Sequence, residues 1–219
     1  MKLSYIGFDF EINFEKHNII DLVIEKTTLY RQMINELLVN NSGIDTNFLL
    51  SDEDKVLQLD LNLFVFHDYF TVDINKKTIN KYYKKLCLIS ETEFMHELYE
   101  LKSKINEYIF NLLQIENLNI NFDELENINL FKLINLQFNN NGNILENLLD
   151  NMKILNNVLG IEIFILTNIQ IYFNENEIIE IFKFVLYNNF KVVLLENHKI
   201  VSKYIDKTII IDNDLCEIF

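Results

Sequence analysis

The last sixty residues constrain the fold most. Ile161–Leu166, Lys191–Leu195 and Thr208–Ile211 read IEIFIL, KVVLL and TIII, three short runs that are almost wholly apolar. A strand exposed on one face alternates, whereas a strand covered on both faces does not, so these runs predict strands of a buried, mainly parallel sheet. The segment 175–187 (ENEIIEIFKFVLY), preceded by Asn174 as cap, predicts a helix between the first two. Strand, crossover helix and strand make a parallel βαβ unit.

The first 72 residues carry the same rhythm. Short β-like runs are predicted at Leu3–Phe10, Ile19–Ile24, Lys55–Leu61 and Leu63–Phe66, with a helix over Thr28–Val39 and a polar turn at Asn40-Asn41-Ser42-Gly43. The middle is helical. Phe94, Leu98, Leu101, Ile105, Tyr108 and Leu112 step by four and three, which places them on one seam. Ser90 and Glu93 have the spacing of a capping box for that helix, and Asp123 with Glu126 the spacing of a cap for a shorter one. A second seam, Leu145, Leu148, Met152, Leu155 and Leu159, is closed by Gly160. The two long seams are expected to pair antiparallel. The expected architecture is therefore an α/β head from 1–72 and 160–219, with a helical leg, 73–159, inserted into it.

Composition restricts the chemistry. The chain has 219 residues, 4 Gly, 2 Cys, no Pro and no Trp; alanine is absent and Arg31 is the only arginine. Such a bias is typical of an AT-rich genome, and it leaves any anion site to be built from lysine. The turn after Ile19–Glu25 reads EKTTLYR, where a phosphate-binding α/β protein places a glycine-rich loop with lysine. Without glycine the backbone does not readily aim several N–H groups at one anion. The strand 161–166 ends in Thr167-Asn168, where an NTPase usually offers acids for magnesium. His17, His67, His96 and His198 have no metal-ligand spacing, and no G-x-S-x-G elbow is present. The chain does not read as an enzyme. Cys87 and Cys216 are too few for a disulfide framework. No apolar run approaches the roughly 18 residues of a membrane span. Acidic residues within the first ten positions argue against a signal peptide, so a cytoplasmic location is expected.

Charge is unevenly distributed. The net charge is −14, yet 76–85 (KKTINKYYKK) holds five lysines and no acid. Residues 76–104 carry seven lysines against four glutamates, and 105–150 carry seven acids against Lys132 alone. Lys77, Lys81 and Lys84 or Lys85 share one helix face, and Tyr82 and Tyr83 stand beside them. Lys76, Lys77, Lys81, Lys84, Lys85, Lys102 and Lys104 are thus candidate contacts to a phosphate backbone, bound without reading bases. An acidic chain binds DNA only if its geometry gathers the lysines, as a symmetric ring with a basic hole does. In 116–126, Glu116, Asp123, Glu124 and Glu126 offer hard oxygen donors of the kind calcium accepts, or else an ordinary turn and cap.

Three stretches resemble a known family. KHNIIDLVIEKTTLYRQMINELL, DYFTVDINKKTINKYYKKL and IFILTNIQIYFNENEIIEIFKFVLYNNFKVVLLEN with DKTIIID are similar, in order and spacing, to the DNA-end-binding ring protein of type II-A CRISPR adaptation systems. The resemblance implies a degenerate P-loop NTPase-like head that has lost its nucleotide site, plus a helical leg. It implies a homotetramer that threads double-stranded DNA ends, binds calcium and has no catalytic activity. Its partners would be the CRISPR integrase proteins and the effector nuclease, during spacer acquisition. Asp123 and Glu124 match the family's acidic loop; Asn119 and Asn121 stand where it has carboxylates, which implies weaker calcium binding. The other readings are an inert α/β scaffold that binds protein partners through its acidic face, and an NTPase with an unusual phosphate loop.

Overall fold

The computed structural model describes residues 1–39, 46–53, 55–70, 76–116, 120–123, 125–136 and 142–218. The predicted turn at 40–43 lies outside them. The chain divides into two compact units, 1–73 with 140–219, and 74–139.

The first unit is built on two sheets. Parallel pairing joins β3 (Ile19–Ile24), β6 (Leu63–Phe66), β7 (Ile163–Thr167), β8 (Lys191–Glu196) and β9 (Lys207–Ile211), with β10 (Glu217–Ile218) antiparallel on the edge, in the order β10-β9-β3-β8-β7-β6. In register, Ile19 pairs with Val192 and Phe164 with Val192 on its other side. Both faces are covered, which is why these strands are near-continuous apolar runs. On one face Leu22, Ile165 and Leu195 pack with Met33 and Leu37 of α1 (Thr27–Val39). The same cluster takes in Leu3 and Leu50 of an antiparallel sheet, β2-β1-β4-β5, formed by β1 (Lys2–Tyr5), β2 (Glu11–Asn13), β4 (Phe48–Asp52) and β5 (Lys55–Leu57). On the other face Ile19, Phe164, Leu166 and Leu194 pack beneath α6 (Ile144–Leu159) and α8 (Glu175–Tyr187).

Local signals explain most boundaries. Asn174 caps α8 in a reciprocal box: its side chain accepts from Glu177 N at 3.1 Å, and the Glu177 carboxylate accepts from Asn174 N at 2.8 Å. Asn143 and Glu146 form the same box on α6. Gly160 ends α6 with φ 76°, in the left-handed region. The run at Leu3–Phe10 is split, because the chain turns at Ile6-Gly7, with φ 97° at Gly7, before β2. The run at Lys55–Leu61 breaks after Leu57, and the short α2 (Leu59–Asn62) follows.

Two expectations are corrected. The 144–159 helix belongs to the first unit and not to the helical one: Leu148, Met152 and Leu155, at 0–1% exposure, lie in the core against the sheet. An apolar sheet face offers this stripe a wider surface than a second helix does. Ser90 and Glu93 do not start a helix, because α3 (Lys76–Thr92) continues through Ser90 and α4 (Met95–Glu116) begins after it.

The second unit contains α3, α4 and α5 (Asn127–Leu133). Tyr83 is buried there, and its hydroxyl accepts Leu136 N–H at 3.2 Å. Glu126 stands at the N-cap of α5, and its side chain accepts from Asn129 Nδ2 at 3.3 Å rather than from a backbone N–H, so the expected Asp123–Glu126 cap is not formed. The α4 seam is left uncovered within this unit: Phe94, Leu101, Tyr108 and Leu112 are 45–65% exposed. Among the described residues no helix is long and apolar enough to cross a membrane.

Candidate functional site

Two places merit a functional reading, one in each unit. In the first, β3 lies between β9 and β8, so its turn into α1 opens at the carboxyl edge of the parallel sheet, where open α/β folds take ligands. That turn, Glu25-Lys26, holds no glycine. Two buried tyrosines reach the ends of β7 and β8 there. The Tyr30 hydroxyl lies 2.7 Å from Asn168 Oδ1 and 3.1 Å from the Leu195 carbonyl, sharing its proton between the two acceptors. Tyr69 donates to the Thr167 carbonyl at 3.0 Å. Asn168, at φ 54°, carries the chain from β7 into α7 (Ile169–Tyr172). Burial pushes both tyrosine hydroxyls well above their usual range, so they stay protonated.

Two acids missed by the sequence reading sit under this edge. Asp21, inside β3, is 0% exposed and Glu196, at the end of β8, is 3% exposed. Burial raises Asp21 to about 6 and Glu196 to about 7. The legible signal was an acid within, or closing, an apolar strand: IIDLVI and KVVLLE.

In the second unit, α3 carries Lys76, Lys77, Lys81, Lys84 and Lys85, and α4 carries Lys102 and Lys104. Lys81, Lys84, Lys85 and Lys104 are exposed and Lys102 is half-buried; the side chains of Lys76 and Lys77 lie outside the described set. Lys84 and Lys102 line one open groove of about 700 Å³ with Cys87, Glu91, Glu126 and Asn127. Lys102 also borders a neighbouring hollow of about 300 Å³ with Tyr99, Ser103 and Asn106. Lys104 stands elsewhere, because two residues turn a helix by about 200°. The groove is close to neutral, with two ammonium groups facing two carboxylates. The cationic surface is therefore the exposed face of α3, and Tyr83 belongs to the core of the unit rather than to that face.

Of the four calcium candidates, two have described side chains. Asp123 and Glu126 are exposed, while the side chain of Glu116 and the whole of Glu124 lie outside the described residues. Among the described residues no three His, Cys, Asp or Glu side chains are placed to hold a metal. His67 is exposed, and His96 lies 3.6 Å from Glu100 one helical turn on.

Comparison with known proteins adds to this geometry. The family model described as CRISPR-associated protein (Cas_Csn2) matches residues 40–215. Among solved structures the fold is similar to that of Stu0660 of Streptococcus thermophilus, with TM-score 0.64 and 13% identity, over 100% of this chain and 76% of that one. It is more distantly similar to a putative ABC transporter ATP-binding protein from Pyrococcus furiosus, with TM-score 0.43 and 14% identity, over 96% of this chain and 97% of that one. No curated protein sequence matches.

Proposed function

The chain belongs to the Cas_Csn2 family of CRISPR-associated proteins, and from that premise we propose that it binds double-stranded DNA ends without reading their sequence, as a homotetrameric ring that serves spacer acquisition. The observation that carries this reading is the lysine face of α3, present in a chain whose net charge is −14. A molecule so acidic is repelled by DNA unless its cations are collected on one surface and the copies turn that surface inward. The CRISPR integrase proteins and the effector nuclease are the proposed partners, and the cytoplasm the proposed location.

The role is non-enzymatic. A glycine-free turn and an edge occupied by Tyr30, Tyr69 and Asn168 support a head that is P-loop NTPase-like in layout and has lost its nucleotide site. Calcium held by Glu116, Asp123, Glu124 and Glu126 belongs to the same proposal and rests on the chemistry of the donors. The proposed leg is the helical unit 74–139, and its uncovered seam supports self-assembly.

The test is a gel-shift comparison of linear and closed circular duplexes of one sequence over a salt series. Linear DNA is expected to bind, with affinity falling steeply as salt rises; circles are expected to bind little. Equal binding of both forms, or none at low salt, overturns the reading. Assembly has a separate check. Leu101→Glu with Tyr108→Glu, on the exposed seam, is expected to lower the mass measured by light scattering. An unchanged mass would show that the seam takes no part in assembly.

A second reading, a catalytically inert scaffold that binds protein through its acidic face, is favoured by the seven acids against one lysine in 105–150. The same gel shift separates it from the first.

A further inference from the structure

Asp21 and Glu196 are the buried acids among the described residues, and neither belongs to the lysine face of α3. Asp21 pairs in register with Leu194 and Val23 with Glu196, so the two carboxyl groups are diagonal neighbours on one face of adjacent strands. Each holds a backbone segment. Asp21 Oδ2 accepts the Ile200 N–H at 3.0 Å, and Glu196 Oε1 accepts the Ile169 N–H at 2.7 Å. Ile200 lies in the loop after β8 and Ile169 opens α7; Gln170 Nε2 ties the two segments by donating to the His198 carbonyl at 3.1 Å. Both segments follow strands at the carboxyl edge of the sheet.

The surroundings do not neutralise two negative charges. Asp21 Oδ1 is buried with no hydrogen-bond partner. Lys199 is the cation that acts on Asp21. Tyr30 from α1 and Tyr69 after β6 face Glu196, and burial keeps their hydroxyls neutral near pH 7; Tyr172 from α7 faces both tyrosines. The β9 neighbour of Asp21 in register is the uncharged Thr208. Helices α6 and α8 bring apolar residues such as Leu148 and Phe182 to the same face of the sheet, with Ile19 and Leu194. Two carboxylates side by side in such a medium repel each other, and ionising both is costly.

We propose that Asp21 and Glu196 form a proton-linked clasp: while the pair retains a proton, the 168–171 and 197–200 segments are held on the sheet edge, and when both acids ionise the segments loosen. The raised carboxyl values, about 6 and about 7, agree with this. The sign follows from linkage. Both groups bind protons more tightly folded than unfolded, so their stabilising contribution is full below about pH 4 and is lost as pH rises through 6 to 7.

The experiment is amide hydrogen exchange of the full chain between pH 5.5 and 9, with each rate corrected for intrinsic base catalysis. Protection at Ile169 and Ile200 is expected to fall by up to about tenfold per pH unit as pH rises toward 7, the slope of one linked proton, and to level off above it. The strand amides of Phe164 and Val193 are expected to stay protected. In Glu196→Gln and Asp21→Asn the fall is expected to flatten, because an amide oxygen still accepts the N–H and carries no charge. Protection that does not vary with pH in the wild type overturns the clasp. So does a loss shared equally by Phe164 and Val193, which would be global opening, and so does a fall that persists in a folded variant. If neither variant folds, the wild-type series decides alone.

Discussion

Replacing Lys77, Lys81 and Lys84 together by glutamate is expected to weaken binding to linear duplex by at least about a hundredfold at moderate salt. The three positions follow one another by four and three residues on α3, a spacing that places them on one helix face. Each lysine that meets a phosphate releases a counterion, and each one lost should lower the slope of log affinity against log salt by about one unit. Charge reversal adds repulsion to that loss. Helix propensity favours neither residue strongly, so the fold should persist, which circular dichroism would check. Binding that retains its affinity and its salt slope would remove this face as the DNA contact. Lys104→Glu is the informative companion. It stands on the other side of α4 from the groove, and a loss equal to that of the triple variant would move the contact to α4.

Leu148→Ala is expected to destabilise the chain by about 3 kcal/mol. Leu148 is 0% exposed, in the cluster that includes Phe164 and Phe182, so truncation loses transfer free energy and leaves a cavity in a close-packed layer. For a chain of this size the change corresponds to a fall in melting temperature of roughly 6–12 °C. Asp150→Ala, on the exposed side of the same helix, should shift stability by no more than about 0.5 kcal/mol. The pair also tests where α6 belongs. If the helix were part of the leg, removing three carbons from Leu148 would leave the sheet core unaffected, and the unfolding of the first unit would not move.

The parallel sheet was legible because its strands are sealed on both faces. IFILT and KVVLLE have no solvent side and therefore no alternation, KTIII buries Ile209 and Ile211 and half-buries Thr208 and Ile210, and the β-branched residues of all three suit strands. The α8 cap was legible too, since Asn174 and Glu177 act within one turn. The capping box at Ser90 and Glu93 failed because Ser90 lies inside α3 and the Glu93 N–H, just past its end, still bonds back to the Ile89 carbonyl at 2.8 Å. The lysine stripe could be placed on a helix face from spacing alone. That Lys84 and Lys102 share a groove with Glu91 and Glu126 could not, because it requires α3, α4 and α5 to be brought together. Tyr83 illustrates the same limit: beside two lysines it reads as a surface aromatic, yet the packing of α3 on its neighbours buries it.

Apolar periodicity, glycine supply and charge distribution were settled by the chain alone: a buried sheet, a first strand-to-helix turn without glycine, and cations gathered in one stretch. All three are properties of neighbours in sequence, which local chemistry decides. The assignment of the 144–159 stripe to the sheet, the plugging of the edge by Tyr30 and Asn168, and the meeting of Asp21 with Glu196 were decided by tertiary structure. Each joins residues far apart along the chain, and only the competition among whole surfaces for burial determines which of them come together.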